Sequence, residues 1–291
     1  MPHPARQPAP RRFGSRSPAT GRGPVRPAAG RRAFGVLAIA SLLSGTLPGA
    51  LPSVTQAAEG LYLTWDDCYL GATATSNVAF ACDTDAGQNE LYVAFTMPQA
   101  ADNVVAVEIV VDLQHASAVL PDWWDLEPNG CRWPMNELSS LTAAASFPGR
   151  TACLNMWEGA VTPAIAGIAG YTPMQPGGAA SQARIKVTAS VNPSDARTVD
   201  GTSMYYAARI TLKHDRTTGA GSCSGCEGSA CLVLNSIIIG RLAGSTGGNH
   251  FLQMPGPGEA NWARWQGGGG ANCAAVPVRN RAWGQLKGLY R

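Results

Sequence analysis

The sequence predicts a mainly β protein, an antiparallel two-sheet β-sandwich of jelly-roll-like or immunoglobulin-like type with long disulfide-linked loops. Seven strand-like segments and eight cysteines support this fold class. The segments are rich in β-branched and aromatic residues and are bounded by Gly, Pro, Asn and Asp, as strands usually are. They do not alternate with amphipathic helices, which argues against a parallel α/β sheet.

The predicted strands lie between residues 60 and 240, and most show the two-residue alternation of a half-buried strand. They are Gly60–Trp65, Val78–Cys82, Glu90–Met97, Val104–Leu113, Arg184–Val191, Met204–His214 and Cys231–Gly240. Three segments interrupt this pattern. We expect a short helix near 136–141, a long ordered loop over 159–180 and a Gly-rich loop over 244–270, followed by a short C-terminal helical tail.

Residues 1–57 have the composition of an export signal, which is expected to be removed or disordered. They contain eight arginines and no acidic residue, then an apolar stretch from Ala33 to Leu51 and a small-residue site near Ala57. The pair Arg31-Arg32 leaves both general and twin-arginine export open. The uninterrupted apolar core of about ten residues is shorter than the roughly 20 of a spanning helix, so no stable membrane span is expected after cleavage.

Residues 58–291 are then expected to form one domain that is secreted, periplasmic or attached to the cell surface. The whole chain has 22 basic and 19 acidic residues, and without the first 57 residues it has 14 basic and 19 acidic ones, a net charge of −5. An acidic domain without clusters of Lys and Arg lacks the electrostatic footprint of a nucleic-acid-binding protein. We therefore expect no nucleic-acid partner.

All eight cysteines follow the export segment, and an oxidising compartment favours four disulfides. Proximity in sequence favours Cys68–Cys82 and Cys131–Cys153, and the last four cysteines would pair among themselves, for example Cys223–Cys226 with Cys231–Cys273. Eight cysteines allow 105 pairings, so the connectivity stays open. The alternative is a zinc site formed by the last four thiolates.

Two clusters of polar residues are candidate sites. Asp83 and Asp85, in a segment with Gly87 and Asn89, offer oxygen ligands for calcium. The alternative is a polar hairpin loop, in which the same residues are ordinary turn formers. Apart from calcium, no cofactor is expected.

The second cluster has the composition of a carbohydrate site. Asp122 and Asp125 flank Trp123 and Trp124, so carboxylates and stacking rings lie side by side. The alternative is a loop anchored by the two tryptophans. Paired carboxylates also carry glycoside hydrolysis, where their separation in space is the test; Asp66, Asp67, Asp83 and Asp85 are further candidate acids.

Three segments resemble a group of uncharacterised secreted bacterial proteins with a cysteine-rich β domain. They are LPDWWDLEPNGCR at 120–132, TGAGSCSGCEGSACLVLNSI at 218–237 and the ending RNRAWGQLKGLYR at 279–291. The resemblance implies one exported, disulfide-linked domain and no particular activity.

The function expected from these observations is that of a non-catalytic extracellular binding or surface-structural domain, with an extracellular glycan or protein as partner. Two alternatives stay open: a secreted hydrolase acting on glycans, and a calcium-stabilised extracellular module. Histidine is the most frequent general base, and only three histidines follow the export segment, which favours binding over catalysis.

Overall fold

Two stacked β-sheets form this protein, and a computed structural model describes residues 58–133, 140–258, 260–271 and 273. These residues belong to one compact unit, Ser53–Arg291. The predicted export signal and the predicted C-terminal helical tail lie outside the described residues.

Thirteen strands and three short 3-10 helices make up the secondary structure of the described residues. The strands are β1 Gly60–Trp65, β2 Asn77–Val78, β3 Gln88–Thr96, β4 Ala101–His115, β5 Leu141–Ala144, β6 Leu154–Asn155, β7 Ile165–Pro173, β8 Gln182–Ser190, β9 Arg197–Val199, β10 Met204–Lys213, β11 Ala230–Arg241, β12 His250–Leu252 and β13 Trp262–Trp265. The 3-10 helices are Asp122–Trp124, Pro193–Asp195 and Gln266–Gly268.

The first sheet has the strand order β1-β3-β10-β5, with β6 beside β10. The second sheet has the order β2-β13-β11-β4-β8-β7, with β12 beside β11 and β9 beside β4. Neighbouring strands are antiparallel except for the short pairs β6–β10 and β2–β13, which are parallel. The predicted mainly β fold of two sheets is therefore confirmed.

The core lies between the sheets, because alternate residues of each strand point to the same face. Leu63 in β1 pairs with Val93 in β3, and both are fully buried. In the second sheet Ile109 in β4 pairs with Val187 in β8, and these too are fully buried. The rings of Trp65 and Trp265 meet across the core with centroids 6.1 Å apart.

Most predicted strands are present, and the segments expected to be irregular contain further strands. The predicted strand Val78–Cys82 is shorter, because pairing with β13 ends at Val78. The stretch predicted as a loop over 159–180 contains β7, and the Gly-rich segment 244–270 contains β12 and β13. The helix predicted near 136–141 is wrong at its end, since Leu141 begins β5, and residues 136–139 lie outside the described residues.

All eight cysteines form disulfides, but most of the predicted pairs are wrong. The bonds are Cys68–Cys153, Cys82–Cys226, Cys131–Cys223 and Cys231–Cys273, of which only the last was predicted. Three bonds join positions 85 to 144 residues apart, because strands distant in sequence lie side by side. No thiol of the eight is free, so the zinc alternative is also wrong.

Candidate functional site

The candidate site is a groove of about 500 Å³ between β5 of the first sheet and β7 of the second. Its described lining residues are mostly apolar and uncharged: Leu126, Pro128, Trp133, Leu141, Thr142, Ala143, Ala166, Gly167, Ile168, Ala169, Gly170 and Tyr171. Within the described residues β5 and β7 are the last strands of their sheets. The groove therefore runs along the neighbouring edges of the two sheets.

The sequence IAGIAGYTP of β7 explains the shape of this wall. Its triplet repeat would place Ile168 and Tyr171 on opposite faces, but a bulge at Ala169 shifts the register against β8. Ile168 then pairs with Val187 and Tyr171 with Ile185, so both turn towards the core. Gly167, Ala169 and Gly170 add no large side chain to this wall of the groove.

The edge of β7 is a row of peptide groups beside the groove. In the described part of the chain β7 pairs only with β8. Edge strands are usually protected by charged side chains, proline or bulges. This strand has the bulge at Ala169 and a terminal Pro173, but no charged residue over its nine positions.

Two aromatic side chains give the groove its polar and apolar contacts. The hydroxyl of Tyr171 donates a hydrogen bond to the backbone oxygen of Trp124. Burial raises the pKa of this phenol far above its usual range, and the nearby charges of Asp125 and Glu127 raise it further, so it stays a donor at neutral pH. Trp133 at the rim is 40% exposed.

The structure does not bring the predicted tryptophan cluster to a surface. Trp123 and Trp124 are 0% and 1% exposed, in the 3-10 helix Asp122–Trp124. Trp265 stacks on Trp123 at 4.9 Å between centroids, and the Arg132 guanidinium lies 3.9 Å from the same ring. Both ring faces of Trp123 are thus in use, and neither tryptophan offers a platform for a sugar.

The acids of that cluster hold loops together. Asp122 accepts a hydrogen bond from the Ser224 hydroxyl at 3.4 Å, and Asp125 accepts one from the Cys131 backbone at 3.4 Å. Neither residue lines the groove. The loop between them and Cys131 is tied to β10 and its following turn by Arg132, which bonds the Lys213 carbonyl and pairs with Asp215.

The candidate calcium residues Asp83 and Asp85 lie in the loop before β3. Oδ1 of Asp85 accepts hydrogen bonds from the Thr218 amide at 2.6 Å and the Thr218 hydroxyl at 3.0 Å. The bond from the Thr218 backbone lowers the pKa of Asp85. Among the described residues no group of three or more His, Cys, Asp or Glu side chains is arranged to hold a metal ion.

Two further candidate acids, Asp66 and Asp67, lie where the chain leaves β1. Asp67 is buried and accepts hydrogen bonds from the Cys68 amide at 2.7 Å and the Tyr206 hydroxyl at 2.6 Å. Burial raises the pKa of Asp66. They are part of a network over the first sheet with Arg150, Tyr92 and Glu90 and do not line the groove.

Sequence reasoning missed the residues of the groove. The alanines and glycines of the repeated triplet Ile-Ala-Gly weakened the strand signal of β7. The exposed tryptophan of the region is Trp133 rather than Trp123 or Trp124. The isoleucine and tyrosine spacing in IAGIAGY, interpreted as a strand with one bulge, was the signal available.

No family model, no curated protein and no solved structure matches this chain. In the described residues there is no helix long and apolar enough to cross a membrane. The four intramolecular disulfides are consistent with an oxidising extracellular or periplasmic location.

Proposed function

We propose that this protein is a secreted, non-catalytic binding module that takes up an extended, uncharged polypeptide segment in the groove between β5 and β7. The observation that carries the proposal is the position of the groove along two neighbouring sheet edges. Extended peptides bind such edges by adding a strand, with main-chain hydrogen bonds supplying affinity and adjacent pockets supplying specificity.

The small residues of β7 support this mode of binding. A second backbone must approach to about 4.8 Å to pair with an edge strand. Gly167 and Gly170 carry no side chain, and a Cβ built at either would meet no heavy atom within 4 Å. No described atom therefore fills the space above these two positions.

The chemistry of the lining supports an uncharged ligand and favours binding over hydrolysis. No Asp, Glu, His, Lys or Arg is among the described residues that line the groove. Burying a charge against such a wall would cost free energy without a partner to offset it. Acid–base catalysis needs titratable groups within hydrogen-bond reach of the substrate.

Secretion is part of the proposal and has two supports. The first 57 residues have the three-part composition of an export signal. The four disulfides require an oxidising environment to form and persist.

A peptide array tests the proposal. The secreted protein is applied to octapeptides in which apolar residues alternate with Ser or Thr, and affinities are measured for those retained. Ala169→Trp adds bulk at an exposed position of the groove lining, and we expect it to weaken binding at least tenfold. Ser190→Trp adds the same kind of bulk at an exposed position of β8 whose pairing partner, Ile165, does not line the groove, and should bind like the parent.

A backbone-modified probe separates strand addition from side-chain binding alone. Retained peptides are resynthesised with N-methyl groups at alternate residues, in both registers. One register removes the amides that would pair with β7, so it should lose binding while the other keeps it. Equal binding of both registers, or no retained peptide at all, contradicts the proposal.

A further inference from the structure

A second recess, of about 490 Å³, lies among strand ends and loops of the second sheet. It is bordered by the turn into β4, by β9 and by the hairpin that joins β11 to β12. Its lining is polar: Gln99, Ala100, Asp102, Thr198, Arg241, Thr246, Gly247 and His250. None of these residues belongs to the groove between β5 and β7.

Arg241 fixes the walls of this polar cleft. Its side chain is only 5% exposed, and its Nε donates to the Asp102 carbonyl at 2.7 Å. One terminal nitrogen donates to the carbonyls of Thr246 at 2.7 Å and Gly248 at 3.2 Å, and the other pairs with the Asp102 carboxylate. The guanidinium thereby joins the start of β4 to the hairpin, and these hydrogen bonds fix two walls of the cleft relative to each other.

The other polar side chains of the cleft keep hydrogen-bonding capacity that a ligand can use. The Asp102 side chain is 64% exposed, with one oxygen on Arg241. The side chains of Gln99, Thr198 and Thr246 make no hydrogen bond within the described part of the chain. They supply both donors and acceptors.

His250 completes the lining as a neutral ring. Burial lowers its pKa, and the charge of Arg241 lowers it further, so the imidazole is uncharged at neutral pH. Its Nε2 is buried and has no hydrogen-bond partner among the described residues. A buried polar atom without a partner costs free energy, so this nitrogen is an unmet hydrogen-bonding group beside the recess.

We propose that the polar cleft binds a neutral saccharide. The cleft offers an amide, two hydroxyls and a carboxylate within one recess, which suits a ligand with several hydroxyl groups. The exposed carboxylate repels anionic ligands, and Arg241, the one cation among the described lining residues, is already paired with it. This inference is independent of the peptide-binding groove.

The test uses neutral hexasaccharides of glucose, mannose, galactose, xylose and N-acetylglucosamine, with binding to the secreted protein measured by saturation-transfer NMR and titration. We expect saturable binding of at least one. The double variant Gln99→Ala, Thr198→Val removes two hydrogen-bonding groups from exposed positions and should weaken it at least tenfold.

A matched control makes the result specific. Thr188→Val makes the same change on an exposed position of β8, away from the cleft, and should leave affinity within twofold. All variants are compared at melting midpoints near that of the parent, so that loss of fold is not mistaken for loss of binding. The proposal is overturned if no hexasaccharide saturates at millimolar concentration, or if the double variant binds as tightly as the parent. Blocking the groove with Ala169→Trp should leave saccharide binding unchanged.

Discussion

The two sheets differ in what covers the face that points away from the shared core. Every residue of β1 in the first sheet is buried, and so is the run Leu91–Thr96 of β3. In β8 of the second sheet, burial alternates with exposure from Ile185 to Ser190. At β1 and β3 the first sheet is therefore covered on both faces, whereas at β8 the second sheet presents one face to solvent.

The cover of the first sheet is a layer of loops rather than another sheet. Cys68–Cys153 joins the segment after β1 to the segment after β5. Phe147 stacks on Tyr206 at 4.6 Å, and Trp157 Nε1 donates to the Ala207 carbonyl at 3.0 Å. Both recesses, in contrast, are bordered by strands of the second sheet. The groove also borders β5 of the first sheet. The comparison teaches that the loop layer over β3 and β10 stabilises the fold, whereas the candidate binding surfaces lie at sheet edges and strand ends.

Two tryptophans, one over each sheet, test this difference most strongly. Trp157 is buried, and Trp157→Ala should lower the free energy of unfolding by about 3–5 kcal/mol through lost contacts and an unfilled cavity. Trp262 lies half-buried on the open side of the second sheet, under the Arg264 guanidinium at 4.5 Å. Trp262→Ala should cost only about 1–2 kcal/mol.

Denaturant unfolding of the two variants measures both values. Comparable costs would mean that the two tryptophans are covered to the same extent and that the comparison between the sheets is wrong.

A buried carboxylate on the outward face of the second sheet sharpens the comparison. Asp112 is fully buried and accepts hydrogen bonds from Arg184 Nε at 2.7 Å, from a second Arg184 nitrogen at 2.8 Å and from Asn235. Asp112→Asn turns one acceptor into a donor that faces these donors, and should cost about 1.5–3 kcal/mol. Glu108 lies on the same face of β4, four residues before Asp112, and has no ion pair among the described residues. Glu108→Gln should therefore change the free energy of unfolding by no more than about 0.5 kcal/mol. Equal effects in chemical denaturation would show that the Asp112 contacts contribute nothing specific.

The sequence was sufficient for the strands whose side chains report burial directly. RIKVTASV alternates in type, and β8 alternates in exposure. It was insufficient for β7, whose small residues give little hydrophobic signal and whose bulge shifts the alternation. The partners of Cys68 and Cys82 were also beyond it, since these depend on which sheet each loop crosses.

The candidate site was harder to predict than the fold, for a physical reason. Trp123 and Trp124 have the composition of a sugar platform, but exposure decides whether a ring can bind, and here Trp265 and Arg132 cover the rings. The groove is made of separate segments between positions 126 and 171, and the polar cleft of segments between positions 99 and 250, brought together by strand order.

Acid should weaken the fold through histidines on both sheets. Burial lowers the pKa of His115, His214 and His250 below the value of about 6.5 expected for the unfolded chain. Arg132 lowers that of His214 further and Asp215 opposes it. Because the unfolded state binds more protons below pH 6.5, the stabilising contribution is complete above that pH and is lost as the pH falls through the folded pKa values.

The melting midpoint should therefore decrease as the pH is lowered from 7.5 to 5.5. His214→Gln, at the end of the first sheet's β10, and His250→Gln, in the second sheet, should each reduce this fall, and their relative size shows which sheet is more acid-sensitive. A midpoint that rises on acidification would contradict the assignment.

Calcium should have the smallest effect. Asp85 in the loop before β3 already uses one carboxylate oxygen to bind both the amide and the hydroxyl of Thr218, and the described residues provide no three-ligand cluster there. The melting midpoint of the secreted protein should be the same with EDTA and with millimolar CaCl₂. Asp85→Asn, which keeps the acceptor oxygen, should change stability by no more than about 0.5 kcal/mol in either solution. A midpoint that rises with calcium in the parent but not in this variant would restore the calcium-stabilised alternative. The loop before β3 would then also stabilise the fold.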